Sequence, residues 1–153
     1  MRIAVLGAGA IGGVIGSYLT RAGEDVTFID AWPANVEAIK KDGLRVSAVE
    51  EEFQVEAPAL HLGEVSAASK LFDTVFLCVK SYDTDWSTKF IEPYLAPGGC
   101  VVSAQNSIND DRVAAVLGWS RVVGCVVTFG AAMYEPGHVQ RTSSSDRLGT
   151  KVG

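Results

Sequence analysis

A chain of 153 residues, 48% of them hydrophobic, is long enough to form one well-packed domain, which we expect to span residues 1–153. Its formal net charge of −5 provides no basic field, so we expect neither nucleic acid nor an anionic membrane surface as a partner. Three cysteines in apolar runs, without a C-x-x-C pair, predict reduced core residues rather than a metal site and favour the cytoplasm. Small-molecule chemistry is the function class that remains.

The N-terminal segment predicts a strand, a glycine loop and a helix. The apolar run from Ile3 to Leu6 leads into Gly7-Ala8-Gly9-Ala10-Ile11-Gly12, and a helix follows. This is the structural context that the G-x-G-x-x-G pattern requires. Gly7 would allow a tight turn, Gly9 would let a pyrophosphate approach the backbone, and Gly12 would let helix and strand pack closely. All six loop residues are therefore predicted to bind a dinucleotide cofactor at the helix N-terminus.

A second strand, from Val26 to Ile29, delivers Asp30 to its end, 18 residues after Gly12. In such folds an acid at this place accepts hydrogen bonds from the adenosine ribose hydroxyls, and its carboxylate would repel a 2'-phosphate. Because no arginine follows Asp30 in its loop, NAD is favoured over NADP. The alternative is that the glycines form a generic turn and Asp30 caps a helix that starts at Pro33.

The middle of the chain combines a hairpin with buried strands. Alternating apolar residues between Leu44 and Ala57 predict an antiparallel hairpin whose acidic triplet, residues 50–52, is its solvated tip. Continuous apolar runs from Thr74 to Val79, from Cys100 to Ser103 and from Val122 to Val127 indicate parallel strands covered by helices on both faces. The fold class is therefore doubly wound α/β with a mainly parallel sheet.

The C-terminal part predicts a last hairpin. Glu135-Pro136-Gly137 is a turn signal between two short extended segments, residues 143–146 form a polar loop, and residues 147–152 read as a final strand. His61 and His138 have no evident partners in the sequence, so we assign them no role. Asp83 and Asp110 are interpreted as helix N-caps.

Two polar residues follow neighbouring parallel strands. Lys80 comes after the strand from Thr74 to Val79, and Asn106 comes after the strand that ends at Ser103. Both should lie at the carboxyl edge of the sheet, where open α/β folds bind ligands, so both are candidate catalytic and cofactor-binding residues. The alternatives are a solvated lysine and a turn-forming asparagine.

These motifs together resemble the ketopantoate reductase family, also called 2-dehydropantoate 2-reductase. The resemblance rests on the glycine loop and four further segments that occur in family order. They are Cys78-Val79-Lys80-Ser81-Tyr82-Asp83-Thr84, Gln105-Asn106-Ser107, Val127-Thr128-Phe129-Gly130-Ala131 and Glu135-Pro136-Gly137-His138-Val139. It implies a Rossmann-type cofactor domain in which Lys80 and Asn106 line the nicotinamide end and orient cofactor and keto acid.

The resemblance also implies a reaction. Hydride passes from a reduced nicotinamide to ketopantoate and gives pantoate, on the way to pantothenate and coenzyme A. The family's second, helical domain supplies the lysine that acts as general acid and the glutamate that holds substrate. That domain is absent from this sequence, so we expect the chain to be the cofactor part of a longer reductase and to be inactive alone.

Two departures from the family pattern leave alternatives open. Ser107 stands where the family usually has glycine, and Asp30-Ala31 stands where it commonly has a basic residue for the NADP phosphate. The cofactor can therefore be NAD or NADP, and an NAD-dependent D-2-hydroxyacid dehydrogenase of the same superfamily is one alternative. A non-catalytic nucleotide-sensing module is another, and a homodimer formed through an exposed apolar surface is also open.

Overall fold

The computed structural model describes residues 1–67, 71–144 and 149–153. Within them the strands, in chain order, are β1 (Arg2–Leu6), β2 (Asp25–Asp30), β3 (Leu44–Ser47), β4 (Glu52–Val55), β5 (Ala59–His61), β6 (Phe72–Leu77), β7 (Leu95–Ser103), β8 (Val122–Val127), β9 (Ala131–Glu135), β10 (His138–Arg141) and β11 (Thr150–Val152). The α-helices are α1 (Ala10–Arg21), α2 (Pro33–Asp42), α3 (Thr84–Ile91) and α4 (Asp110–Leu117).

The main sheet of the described residues has the strand order β11-β8-β7-β6-β1-β2-β5. All neighbouring pairs from β8 to β5 are parallel, and β11 is antiparallel to β8. Counted along the chain, the six parallel strands follow the order 3-2-1-4-5-6 of the Rossmann fold. The predicted doubly wound α/β class is confirmed. The third parallel strand, β5, was not predicted, because three residues are too short to show a pattern.

Strand β1 explains why the predicted strands read as continuous apolar runs. Ile3 and Val5 enter the core cluster that contains α1 and α2, whereas Ala4 and Leu6 enter the cluster that contains α3 and α4. All four side chains are at most 1% exposed. Since helices cover both faces of the sheet, successive residues of its central strand must all be apolar.

A second sheet, with the order β4-β3-β10-β9, packs against α1. Both predicted hairpins are confirmed, as β3 pairs antiparallel with β4 and β9 pairs antiparallel with β10. What the sequence did not predict is their union through parallel pairing of Val46 with Val139. A Cβ atom on Gly13 of α1 would lie 2.6 Å from Val139 Cγ1, so this glycine permits the close approach of the second sheet.

The acidic triplet of residues 50–52 lies at the tip of the β3–β4 hairpin with Glu50 and Glu52 exposed, as predicted, and its carboxylates also have partners. Glu51 accepts hydrogen bonds from the Tyr18 hydroxyl at 2.6 Å and from Arg21 Nη1 at 2.7 Å, and Glu52 pairs with Arg45. The Arg21 bond, followed by the Tyr18 bond, lowers the pKa of Glu51. Glu51 thus ties the β3–β4 hairpin to α1, because its carboxylate is the acceptor that Tyr18 and Arg21 reach.

Both histidines have partners, contrary to the expectation from sequence. His138 Nδ1 lies 2.9 Å from Glu135 Oε1, and its Nε2 lies 2.7 Å from Ser47 Oγ. His61 Nε2 lies 2.8 Å from Glu37 Oε1. The first histidine therefore links β9, β10 and β3, and the second links β5 to α2.

Two smaller expectations changed and one is confirmed. The N-cap of α4 is Asn109 and not Asp110. Asp83 is the N-cap residue of α3, as predicted, and its carboxylate accepts a bond from Trp86 Nε1 at 2.6 Å. The last strand, Thr150–Val152, is shorter than predicted, and residues 145–148 of the predicted loop and strand lie outside the described residues. Among the helices described, none combines the length and apolar character needed to span a bilayer.

Candidate functional site

The candidate site lies where β1 and β6 are neighbours in the main sheet. From these two strands the chain continues to opposite faces, α1 packing on one side and α3 on the other, and this leaves a crevice at their carboxyl ends. The N–H of Cys78 donates to Leu6 O at 2.8 Å, so the two strand ends are held at the same level. Ligands of open α/β sheets bind at such a switch point.

Two glycines of the loop after β1 serve packing. Gly7 has a φ of +96° and donates its N–H to Ile29 O at 2.8 Å, and a Cβ there would lie 2.9 Å from Val79 N. A Cβ on Gly12 would lie 2.1 Å from Gly7 O and 3.0 Å from Cys78 Cβ. Side chains at these positions would push the loop and α1 away from the sheet, which agrees with the tasks predicted for both residues.

Gly9 differs because the space beside it is open. Outside its chain neighbours, no atom of the described residues lies within 4 Å of the place that its Cβ would take. Gly9 is the N-cap residue of α1 and provides no side-chain cap, and the first turn contains no acidic residue. The first N–H groups of a helix have no partner within it and carry partial positive charge. A cradle without a Cβ, at a helix N-terminus, fits the pyrophosphate of a dinucleotide.

Asp30 ends β2 with its carboxylate already engaged on both oxygens. Oδ1 accepts the N–H of Trp32 at 2.9 Å, and Oδ2 accepts a bond from Asn35 Nδ2 at 3.1 Å. The carboxylate therefore supports the turn before α2, although the N-cap residue of that helix is Trp32 and no side chain caps it. Each carboxylate oxygen can accept a further bond, so this role is compatible with a contact to a ribose hydroxyl.

Asn35 is a residue of this site that the sequence analysis missed. Its side chain is fully buried at 0% exposure, yet all of its hydrogen-bonding groups are used. Besides Asp30, Nδ2 donates to Ala8 O of the glycine loop at 3.0 Å, and Oδ1 accepts the N–H of Gly137 at 2.9 Å. The sequence contained one signal for this role, because Asn35 directly precedes Val36 on the buried face of α2. Buried amides of this kind need partners, which predicts a structural network.

Lys80 and Asn106 come together at the other end of the crevice. Both are exposed, and both line a small cleft of about 70 Å³ that also contains Ile11 from the first turn of α1. Their proximity follows from parallel pairing of β6 with β7, which places Leu77 opposite Ser103. An ammonium and an amide beside the helix that carries the glycine loop could contact the polar end of a bound dinucleotide or a keto acid.

Hydrogen bonds from side chains to backbone carbonyls hold the loops that carry these two residues. Ser81 Oγ donates to Asn106 O at 2.8 Å, and Gln105 Nε2 donates to Val79 O at 3.0 Å. Ser107, where the resemblance leads one to expect glycine, has a φ of +71°, the only positive φ of a non-glycine residue in the described part of the chain. The departure therefore falls where the backbone itself favours glycine.

Other reactive groups near the crevice contribute little to its chemistry. Burial raises the pKa of the Cys78 thiol, so this cysteine is not an activated nucleophile. In residues 1–67, 71–144 and 149–153, no three His, Cys, Asp or Glu side chains are grouped as a metal site would require. The groups that the candidate site offers to a ligand are therefore backbone N–H groups, Asp30, Lys80 and Asn106.

Comparison with known proteins agrees with this geometry. A family model described as ketopantoate reductase PanE/ApbA matches residues 3–151. The 2-dehydropantoate 2-reductase of Archaeoglobus fulgidus is 34% identical over 139 residues, which is 90% of this chain and 43% of that protein. The crystal structure of a PanE/ApbA family ketopantoate reductase from Ralstonia eutropha superposes with a TM-score of 0.83 at 36% identity, covering 92% of this chain and 46% of that one.

A further structure shares the fold with a different named activity. D-mandelate dehydrogenase, in a ternary structure with NADH and anilino(oxo)acetate, has a TM-score of 0.87 and 25% identity, covering 99% of this chain and 47% of that one. In each of these comparisons the chain spans about half the length of the relative that it matches.

Proposed function

The chain belongs to the ketopantoate reductase family, and from this premise we propose that residues 1–153 form the dinucleotide-binding domain of a reductase that converts ketopantoate to pantoate. The observation that carries the proposal is the open space beside Gly9 at the N-terminus of α1, within the switch-point crevice. The cleft of Lys80 and Asn106 also contains Ile11, which follows Gly9 by two residues in the first turn of α1. A dinucleotide and a small keto acid are the ligands that suit this arrangement.

The cofactor, when bound, supplies the hydride that reduces the 2-keto carbon. The backbone N–H groups at the start of α1 bind the pyrophosphate, and Gly9 leaves room for it. Lys80 and Asn106 orient the nicotinamide end and the keto acid, since an ammonium attracts a carboxylate and an amide can donate to a carbonyl. In relatives, the part of the polypeptide beyond the matched half has room for the general acid that the family resemblance implies.

We further propose that NAD is preferred over NADP. Asp30 places a carboxylate at the end of β2, and Ala31 follows it without a guanidinium that could hold a 2'-phosphate. Asp30→Ala should weaken NADH binding and relieve the repulsion of NADPH, and Ala31→Arg should favour NADPH further, since arginine can bind phosphate with two bonds. Tighter binding of NADPH by the unmodified chain, with a ratio unaffected by Asp30→Ala, would contradict this preference.

The experiment that tests the cofactor role is a calorimetric titration of the chain with NADH and NADPH. We expect binding of the cofactor, and Lys80→Ala and Asn106→Ala should each weaken it by about threefold to tenfold. Lys41→Ala is a matched control, because Lys41 is an exposed lysine at the end of α2 with 80% of its side chain accessible. Two variants with unchanged affinity would contradict the roles given to Lys80 and Asn106.

A second candidate, an NAD-dependent D-2-hydroxyacid dehydrogenase, is favoured by Asp30 and by the likeness to D-mandelate dehydrogenase. The two activities are separated in a two-part protein, made by joining this chain to the second half of a relative. Its turnover of ketopantoate is compared with its turnover of phenylglyoxylate. Turnover of ketopantoate supports the first proposal, and turnover of only the aromatic keto acid supports the second. Binding without any turnover in the two-part protein supports a sensing module instead.

A further inference from the structure

Asn35 connects three parts of the molecule that are distant in sequence. Its amide joins the glycine loop at Ala8, the carboxylate of Asp30 and the β9–β10 turn at Gly137, all within 3.1 Å. The bond to Gly137 spans 102 residues of sequence. A fully buried side chain that contacts both the glycine loop and the Asp30 carboxylate is placed to act on ligand binding and not only on packing.

The chemistry of these contacts requires an amide in one orientation. Ala8 O and Asp30 Oδ2 are acceptors, and they face the NH₂ group, whereas the Gly137 N–H is a donor and faces Oδ1. A flipped amide would set an acceptor against two acceptors and a donor against a donor. A carboxylate at position 35 would lack both donors and would set a second negative charge about 3 Å from Asp30. The three partners therefore require an asparagine amide at position 35, with its NH₂ group facing the two acceptors.

We propose that Asn35 is a positioning residue that sets cofactor preference by holding the Asp30 carboxylate in the orientation that meets a ribose diol. Together with the Trp32 N–H on the other oxygen, its donation fixes the carboxylate from both sides. The second N–H of the same amide fixes the Ala8 carbonyl, so the ribose acid and the pyrophosphate loop are set relative to one another. Gly137, in turn, fixes the amide from the second sheet.

This inference rests on the proposed function, since it concerns how the proposed cofactor is selected. It predicts that loss of the Asn35 amide acts mainly on the ratio of NADH to NADPH affinity. Without the Asn35 donor, the Asp30 carboxylate gains rotational freedom. It then bonds the ribose hydroxyls less well and also repels a 2'-phosphate less strongly. A residue that served only to attach the hairpin would lower stability and weaken both cofactors alike.

The test is a double-mutant cycle on the full chain, with dissociation constants for NADH and NADPH measured by calorimetry. Asn35→Ala should weaken NADH by about fivefold to tenfold and NADPH by less than about twofold, as expected when one hydrogen bond between the carboxylate and the ribose is weakened. In the Asp30→Ala background, Asn35→Ala should leave the ratio unchanged, because the group through which it acts is gone. Asn35→Ser, which is too short to reach all three partners, replaces Asn35→Ala if the latter does not fold.

Val139→Ala is the matched control. Val139 is fully buried in the same second sheet, packs against Gly13 and does not contact Asp30, so it should lower the melting temperature while the cofactor ratio stays constant. The inference would be overturned if Asn35→Ala shifts the ratio of NADH to NADPH affinity no more than Val139→Ala does. It would also be overturned if Asn35→Ala shifts that ratio equally with and without Asp30. Failure of the unmodified chain to bind either cofactor would instead overturn the proposed function, and the inference with it.

Discussion

Gly9 and Gly13, four residues apart in one loop and helix, have opposite surroundings. The space beside Gly9 is open, whereas a Cβ on Gly13 would lie 2.6 Å from Val139 of the second sheet. The first glycine therefore leaves room for a ligand, and the second leaves room for another part of the same chain. Spacing alone does not separate these two uses, because both need a position without a Cβ.

The polar groups of the crevice and those between α1 and the second sheet also have opposite surroundings. In the crevice, Lys80 and Asn106 are exposed, so their side chains are accessible to a ligand. On the face of α1 that meets the second sheet, Tyr18 and Arg21 are both bonded to Glu51. The polar groups of the crevice are thus open to a ligand, whereas those facing the second sheet are used for support. If the proposed function is correct, substitutions should separate loss of binding from loss of stability.

The largest expected effect is on binding, through Gly9→Val. The branched side chain would occupy the space proposed for the pyrophosphate, so affinity for NADH should fall by about 100-fold or more, a loss of about 2.7 kcal/mol. Since Gly9 has extended backbone angles and open space beside it, the free energy of unfolding should change by less than about 0.5 kcal/mol. Calorimetry measures the affinity and urea unfolding measures the free energy of unfolding. Unchanged affinity in the folded variant would contradict the proposed pyrophosphate position beside Gly9.

Gly13→Val should show the reverse pattern. Its side chain would overlap Val139, and overpacking of this kind costs about 1–3 kcal/mol of unfolding free energy. The cofactor affinity of the remaining folded protein should stay close to the original value, because the glycine loop is unchanged. Gly9→Val is the matched control, and a stability equal to that of the unmodified chain would show that the second sheet does not pack closely on α1.

The ion pair of Glu51 predicts how stability depends on pH. Because the folded state lowers the pKa of Glu51, its contribution is complete above the unfolded pKa, about 4.3, and is lost as the pH falls through the folded value. Glu51→Gln should therefore cost about 0.5–1 kcal/mol at pH 7 and progressively less in acid.

Urea unfolding of both proteins at pH 7 and at pH 3 measures this difference. Glu52→Gln is the matched control, since Glu52 forms its ion pair with Arg45 where both side chains are about half exposed, and it should have a smaller effect. A cost of Glu51→Gln that is equal at both pH values would mean that its ion pair does not stabilise the hairpin.

The smallest effect concerns the crevice loop at Ser107. Its left-handed backbone favours glycine, so Ser107→Gly should relieve strain and, after the added entropy of the unfolded chain, stabilise the protein by about 0.5 kcal/mol. Ser107→Ala is the control, because alanine gains no left-handed freedom and should not stabilise. Thermal unfolding compares the two, and equal melting temperatures would contradict the strain interpretation.

Much of the fold could be predicted because its signals are local. The glycine loop and α1, the central strands with apolar residues on both faces, and the two hairpins each follow from a few neighbouring residues. Lys80 and Asn106 could be placed at one edge because parallel strands end at the same side of a sheet.

Other features depend on residues that meet only after folding. Strand β5 has three residues, too few for a periodic pattern, and is recognisable only by its pairing with β2. The partners of His61 and His138 lie on other elements or across a turn, and the bonds of Glu51 form only once α1 lies beside the hairpin tip. Sequence spacing carries no record of such contacts.

The sequence by itself thus determined the strand, glycine loop and helix at which we propose that a dinucleotide binds, because the three are continuous in the chain. Only the tertiary structure decided what supports that site. The second sheet forms by joining hairpins that are far apart in sequence, and through Gly137 and Asn35 it reaches Asp30. The physical reason is that a buried amide must find its donors and acceptors wherever packing brings them, and packing depends on the whole fold.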